Sequence, residues 1–299
     1  MGATFGISCP CLGRDKPLAL ESNASGGGEG YGWCVRQNQR ERMEDAVEVD
    51  VAGPQGSRLF AVYDGHGGLE AVAHVKQELP TMLNQGEEEV EAKLQASFEK
   101  LDEELKHVGL SQKGSRPWSS GVVATVALWQ GPQVVIANLG DCRALVSRGG
   151  VVEALTTDHR PEEPLERSRL AGLGLEAAEV LEHLAVSRAL GDFDLEGRKC
   201  PGLSARPELS VLQLDAATEF LLLASDGLFE HMDCKEVGVT VRRYLRRSQS
   251  PQVACERIVE QAMKLGSTDN ISAVLIAFRM PEAENTKSAL RRKVVLDGL

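Results

Sequence analysis

The sequence predicts an α+β fold in which antiparallel sheets stack face to face and helices cover their outer sides. Three observations carry this. Strand-like runs rich in Val, Leu, Ile and Ala, punctuated by Gly and Asp, dominate residues 31–279. Helical periodicities arrive in pairs between groups of strands, which disfavours a doubly wound parallel sheet. At 299 residues and 42% hydrophobic composition, the chain carries enough apolar material to bury a core of that size.

The elements follow in order. MGATFGISCPC places Gly2 behind the initiator Met with Cys9 and Cys11 close by. Gly6 stands where the N-myristoylation pattern has Ser or Thr, so the match is incomplete. A single acyl chain on Gly2 holds a membrane only weakly, and a palmitoyl group on Cys9 or Cys11 would be the second anchor. The other reading is a plain tail with incidental cysteines. Residues 21–30, ESNASGGGEG, read as a flexible linker closing an N-terminal segment 1–29, and the folded body is expected over 30–280, with a tail at 281–299. Strands are expected at 59–63, 122–128, 134–138, 143–147, 220–224 and 271–278. Helices are expected at 69–83, 88–107, 233–246 and 251–265, with Leu94, Phe98, Leu101 and Leu105 as the clearest stripe and Gly266 as a stop. Residues 134–147 resemble a hairpin turning at Gly140 and Asp141.

Bulk properties narrow the function. The formal net charge is −11, and no basic face of the kind nucleic acid requires is evident. No apolar run is long enough to span a bilayer. The seven cysteines, Cys9, Cys11, Cys34, Cys142, Cys200, Cys234 and Cys255, form an odd, scattered set that suits free thiols in a reducing compartment. A cytoplasmic monomer is the expectation, with membrane association and the nucleus both left open.

Four apolar runs end on a carboxylate beside glycine or asparagine: LFAVYDGHGG (59–68), VVIANLGDCRA (134–144), FLLLASDGLFE (220–230) and STDNISAVLIAF (267–278). Such ends gathered on one side of a core are costly unless a cation neutralises them. The candidate ligands are Glu44, Asp45, Asp64, Asp226 and Asp269, with Asp141 further out. All are hard oxygen donors without His or Cys at zinc spacing, which suits Mg²⁺ or Mn²⁺. Their number fits two ions sharing Asp64, and paired ions support in-line displacement at phosphorus. Gly65 lets a backbone carbonyl approach a metal, His66 is placed to protonate a leaving alkoxide, and Arg40 to grip phosphoryl oxygens. A lone Asp-Gly is usually only a turn, so the combination carries the weight.

The chain resembles the metal-dependent serine/threonine protein phosphatases of type 2C (the PPM family) over residues 30–280. The blocks are RERMED (40–45), FAVYDGHGG (60–68), ANLGDCRA (137–144), LTTDHRP (155–161), LAVSRALGD (184–192), ASDGLFE (224–230) and STDNIS (267–272). The resemblance implies a four-layer αββα sandwich and hydrolysis of phosphoserine and phosphothreonine in protein substrates by a water bridging two Mg²⁺ or Mn²⁺ ions. It implies that Asp64 bridges the ions, with Asp226 and Asp269 on one and Glu44 and the Gly65 carbonyl on the other. It further assigns phosphate binding to Arg40, acid catalysis to His66 and support to Asp45 and Asn270.

Three departures stand out. Val122-Val123 replaces the family's small Ser-Thr pair. Glu230 stands where the family often has Asp, which puts in doubt a weaker third ion associated with that position and Asp141. The segment 169–183 carries Glu176, Glu179 and Glu182 in place of a basic stretch, and such acidity near the mouth favours basic phosphopeptides. Cys200 and Arg206 satisfy the C-x5-R spacing of cysteine-dependent phosphatases, but Pro201 removes an amide donor and no helix of obvious strength begins there. Residues 193–210 are instead expected to form a surface flap beside the site. His159 is expected to order a loop. Two other readings remain at this stage: a catalytically silent scaffold for phosphoproteins, and a phosphatase of small phosphate esters.

Overall fold

The computed structural model describes residues 20–111, 120–181, 185–194 and 196–281. In chain order its first strands are β1 (Ala24–Gly28), β2 (Tyr31–Arg36), β3 (Asp45–Ala52) and β4 (Arg58–His66), followed by helices α1 (Glu70–Leu83) and α2 (Val90–Ser111). Strands β5 (Gly121–Gln130), β6 (Gln133–Leu139), β7 (Arg143–Arg148) and β8 (Val151–Ala154) come next, then α3 (Pro164–Gly172) and α4 (Ala177–Leu181). The chain continues through β9 (Leu190–Gly191), β10 (Glu208–Gln213), β11 (Thr218–Ala224), α5 (Cys234–Ser248), α6 (Pro251–Leu265) and β12 (Ile271–Ala277). One sheet runs β1-β2-β12-β11-β7-β8, and the other runs β10-β6-β5-β4-β3 with β9 added on β5. Every strand pairing is antiparallel.

Strand periodicity explains the four layers. On β4, Phe60 and Val62 face the space between the sheets, whereas Leu59, Ala61 and Tyr63 face α1 and α2. On β11, Leu221 and Leu223 point between the sheets and Phe220 and Leu222 point at α5 and α6. Both faces of both strands are therefore covered, and the sequence reads as unbroken apolar runs. Each fully buried Leu or Phe contributes about 1.5–3 kcal/mol. The helix stripe expected from spacing is real: Leu94, Phe98, Leu101 and Leu105 are fully buried against the β4–β5 sheet. The helix ends are specified locally as well. Asp233 and Glu236 form a capping box on α5, and Gly266 closes α6 at φ 104°.

Three expectations need correction. Residues 134–147 are not a hairpin: β6 pairs with β5 and β10 in one sheet, and β7 with β8 and β11 in the other. Gly140 and Asp141 make the crossing between sheets, held by Gly140 N donating to His159 Nδ1 at 3.0 Å and His159 N donating to Gly140 O at 2.9 Å. The 21–30 stretch is not wholly linker, because Ala24–Gly28 pairs along β2 and Ser25 Oγ donates to Glu256 Oε1 on α6 at 2.7 Å. Backbone pairing needs no apolar side chain, so composition hid this strand. The 193–210 stretch also does not stay a flap throughout, since Glu208 begins β10. The N-terminal Gly2, Cys9 and Cys11 and the tail beyond 281 lie outside the described residues. Among the described residues no helix is long and apolar enough to cross a membrane.

Candidate active site

The carboxylates gather because β4 and the β3 edge bring one sheet, and β11 and β12 the other, to the same end of the sandwich. Asp64 and His66 close β4, Asp226 follows β11 and Asp269 precedes β12. Arg40, Glu44, Asp64, Gly65, His66, Asp141, Asp226, Asp269 and Asn270 all line one cleft of about 380 Å³. Asn270 fixes the 37–44 loop to this wall. Its Oδ1 accepts from Glu44 N at 2.8 Å, and its Nδ2 donates to the carbonyls of Gln37 at 2.8 Å and Arg42 at 3.1 Å. Gly65 N donates to Glu44 O at 3.1 Å, tying the loop to β4. Gly227 permits the close approach of the turn after β11 to Asp269 and Asn270, since a Cβ there would strike the Asn270 carbonyl.

Two residues stand apart from the rest. Asp45 lies behind the cleft, paired in register with Asp64 across β3–β4 and accepting from Ser225 Oγ at 2.8 Å. Glu230 is exposed and accepts from Thr268 N at 2.9 Å, so it caps a turn and does not line the cleft. Cys200 of the C-x5-R pair also lies outside the lining, and burial pushes its thiol up from the ordinary value, which disfavours a nucleophilic thiolate.

Electrostatics tests whether the residues suit divalent cations. Burial, and then the charges of Asp45, Asp226, Asp141 and Asp269, push the Asp64 carboxyl well above the carboxylate range. Burial, and then Asp141, Asp269 and Asp45, raise Asp226 to about 7. These are hard-oxygen groups whose negative charge is resisted by their surroundings, and a cation between them removes that resistance. The donor set therefore fits Mg²⁺ or Mn²⁺. As the side chains stand, no group of three or more His, Cys, Asp or Glu among the described residues is gathered tightly enough to hold an ion. Two guanidinium groups share part of the charge instead. Arg40 Nη2 donates to Asp269 Oδ2 at 2.7 Å, and Arg160 Nη2 donates to Asp141 Oδ2 at 2.8 Å and lies 3.8 Å from Asp226 Oδ2.

His66 has a partner that sequence reading did not assign. Its Nε2 lies 2.7 Å from Asp192 Oδ1, whose side chain is buried. Burial pulls the imidazole down, but the hydrogen bond and charge of Asp192, with Asp141 and Glu44 beyond, outweigh it and the net shift is upward. The chain carries one signal for it, because Leu190-Gly191-Asp192 repeats the Leu139-Gly140-Asp141 order found at the end of β6. Arg160 is a second such residue: within DHRP the sequence points to His159 and gives Arg160 no role. His159 does order its loop, bonded by Gly140 N and lying 3.2 Å from Glu208 Oε2.

A two-sheet α+β sandwich with a hard-oxygen cleft at the shared strand ends defines the class of fold and site. A family model described as protein phosphatase 2C matches residues 29–271, and the chain belongs to that family. A human protein described as probable protein phosphatase 1N is 36% identical over 293 residues, which covers 91% of this chain and 66% of that protein. A rice protein described as probable protein phosphatase 2C 54 is 36% identical over 232 residues, covering 74% of this chain and 62% of that protein. The chain thus spans two thirds or less of the length of these relatives. Among solved structures, a C. elegans sex-determining protein superposes with a TM-score of 0.72 at 24% identity, covering 83% of this chain and 64% of that one. A phosphatase from Toxoplasma gondii superposes at 0.70 and 23% identity, covering 85% and 94%. At these identities the structural likeness is one of fold.

Proposed function

We propose that the protein hydrolyses phosphoserine and phosphothreonine in protein substrates, using two Mg²⁺ or Mn²⁺ ions. The carrying observation is the single cleft shared by Glu44, Asp64, Asp226 and Asp269, in which burial and mutual repulsion resist the charges of Asp64 and Asp226. Asp64, Asp226, Asp269, Glu44 and the Gly65 carbonyl would hold the ions. Bound there, such ions supply a water activated near neutral pH and offset charge developing at phosphorus. Arg40 is exposed at the rim and would exchange its Asp269 contact for two phosphoryl oxygens. His66, with Nε2 engaged by Asp192, presents Nδ1 as the other ring nitrogen able to deliver a proton to the leaving seryl or threonyl oxygen.

Hydrolysis of p-nitrophenyl phosphate with Mn²⁺, Mg²⁺ or EDTA tests this reading, with Asp64→Ala and Asp226→Ala as controls. Mn²⁺-stimulated turnover abolished by EDTA and by either substitution is expected; a wild type with no metal-stimulated activity overturns it. Insensitivity to iodoacetamide separates the carboxylate site from Cys200. Attachment to a membrane through Gly2 and Cys9 or Cys11 belongs to the same reading of the chain, and the absence of alkynyl-myristate label on the wild type in cells would dismiss it.

A further inference from the structure

The placement of His66 depends on Asp192, and what places Asp192 lies outside the cleft. Gly191 and Asp192 both sit in the left-handed region, at φ 84° and 57°. That conformation is strained for a residue with a Cβ, so the surroundings must hold it. It turns the Asp192 carboxylate back onto the imidazole over Gly121, where a Cβ would strike both Asp192 Oδ2 and His66 Nε2. Leu190 and Gly191 pair with Val122 and Gly121 on β5, and Asp192 N donates to Ser120 O at 3.2 Å.

The remaining restraint comes from α2. Asp102 Oδ1 accepts from Gly191 N at 2.9 Å and from Lys199 Nζ at 2.6 Å, and Lys199 Nζ also donates to Ala189 O at 2.8 Å. Lys199 therefore clasps the chain on the near side of Gly191 while Asp102 grips Gly191 itself. Phe193 and Lys199 form an isolated bridge, with the ammonium 5.3 Å from the Phe193 ring centroid. Both charges are largely buried, with side-chain exposures of 14% and 15%. A buried pair of this kind is weak as a source of stability but strong as a geometric device.

We infer that Asp102 and Lys199 are positioning residues for proton transfer by His66, acting through Gly191 and Asp192. This rests on the proposed acid role of His66. A general acid matters most when the leaving oxygen is a poor leaving group, as in a phosphoserine peptide, and little for p-nitrophenolate.

The test compares kcat and KM on a phosphoserine peptide and on p-nitrophenyl phosphate for Asp102→Ala, Asp102→Asn and the pair Asp102→Ala/Lys199→Met, which strands no buried charge. The expected result for Asp102→Ala and the pair is a loss of about tenfold or more in kcat on the peptide, with KM little changed and p-nitrophenyl phosphate nearly unaffected. Asp102→Asn keeps an oxygen for Gly191 N and recovers part of the loss. Folded variants that keep the wild-type ratio of the two kcat values overturn the inference. If His66→Ala itself shows no leaving-group dependence, or the wild type is inactive, the acid reading has failed instead. The imidazole ¹H–¹⁵N spectrum then decides: a hydrogen-bonded His66 Nε2 proton lost in Asp102→Ala supports the clamp, and an unchanged one overturns it.

Discussion

The Arg160 guanidinium donates to Asp141 Oδ2 at 2.8 Å and reaches within 3.8 Å of Asp226 Oδ2, so a fixed cation already stands between two of the cleft carboxylates. Asp158 holds it from the other side at 3.4 Å, and Arg143 in turn binds Asp158 at 2.8 Å. Glu230, the residue in doubt for a third ion, points away to Thr268 N. If a divalent ion is to use Asp141, Arg160 is placed to compete with it. Arg160→Met should lower the Mn²⁺ concentration needed for half-saturation several-fold and enlarge the rise in Tm caused by Mn²⁺. Calorimetric titration and thermal melts read both, and an unchanged or weaker Mn²⁺ response would refute the competition.

Crowded carboxylates also make the metal-free protein less stable than it could be. Asp226 is raised to about 7 by burial and by Asp141, Asp269 and Asp45, so its ionised form is disfavoured in the fold. Asp226→Asn should raise the metal-free Tm at pH 8 by a few degrees, corresponding to about 1 kcal/mol. The same change should reduce Mn²⁺-dependent hydrolysis by at least about a hundredfold. A lower metal-free Tm would show that Arg160 and not repulsion dominates there.

The legibility of this site follows from where its information lies. Asp64, Asp226, Asp269 and Glu44 stood out because a charge abutting an apolar run is anomalous within one short window. The helix ends at Asp233 and Gly266 are equally local. What could not be read locally was sheet membership. Residues 134–147 look like a hairpin from propensity alone, yet β6 and β7 belong to different sheets because the partners that decide this, β5 and β11, lie far away in the chain. Asp192 and Arg160 stand in recognisable blocks, but their roles are hidden for the same reason: each is defined by a partner, His66 or Asp141, that only the fold brings near. β1 was hidden by glycine and serine, whose contribution there is backbone pairing.

Two buried glutamates give opposite pH dependences of stability. Burial raises Glu48 to about 7, although Tyr63 Oη donates to it at 2.6 Å. The folded state then holds a proton that the unfolded state has lost, so this contribution falls as pH rises from about 4.5 to 7. Glu48→Gln should flatten that slope, by up to about 3 kcal/mol. Unfolding by urea at pH 5 and 8 measures it, and an unaltered slope contradicts the assignment.

Glu166 behaves in the other sense. Burial works to raise it, but Arg188, Arg169 and Ser187 donate to it and hold it at about 2. Its contribution is complete above the unfolded value near 4.5 and is lost as pH falls towards 2. Glu166→Gln leaves two partly buried guanidinium groups short of a partner and should cost about 2–4 kcal/mol at pH 7. The difference from wild type should shrink on acidification. A constant difference from pH 7 to pH 3 would rule this out.

Substrate choice should follow the charge carried by α4. Glu176 and Glu179 are exposed at the start of α4, with Glu179 Oε2 accepting from Glu176 N at 2.9 Å; Glu182 lies outside the described residues. Ala185 and Val186, which follow α4 closely in sequence, line the cleft, so Glu176 and Glu179 are expected on the approach to its mouth. Like charges there repel an acidic peptide and attract a basic one, and the effect weakens once salt shortens the screening length to about 3 Å at 1 M. Phosphopeptides with flanking Arg or Lys should therefore show kcat/KM about three- to tenfold above matched peptides flanked by Asp or Glu, chiefly through KM. Glu176→Lys/Glu179→Lys should erase or invert the preference, and high salt should diminish it. Equal turnover of the two peptide classes by the wild type at low salt would show that the α4 acids lie too far from the bound peptide to be felt.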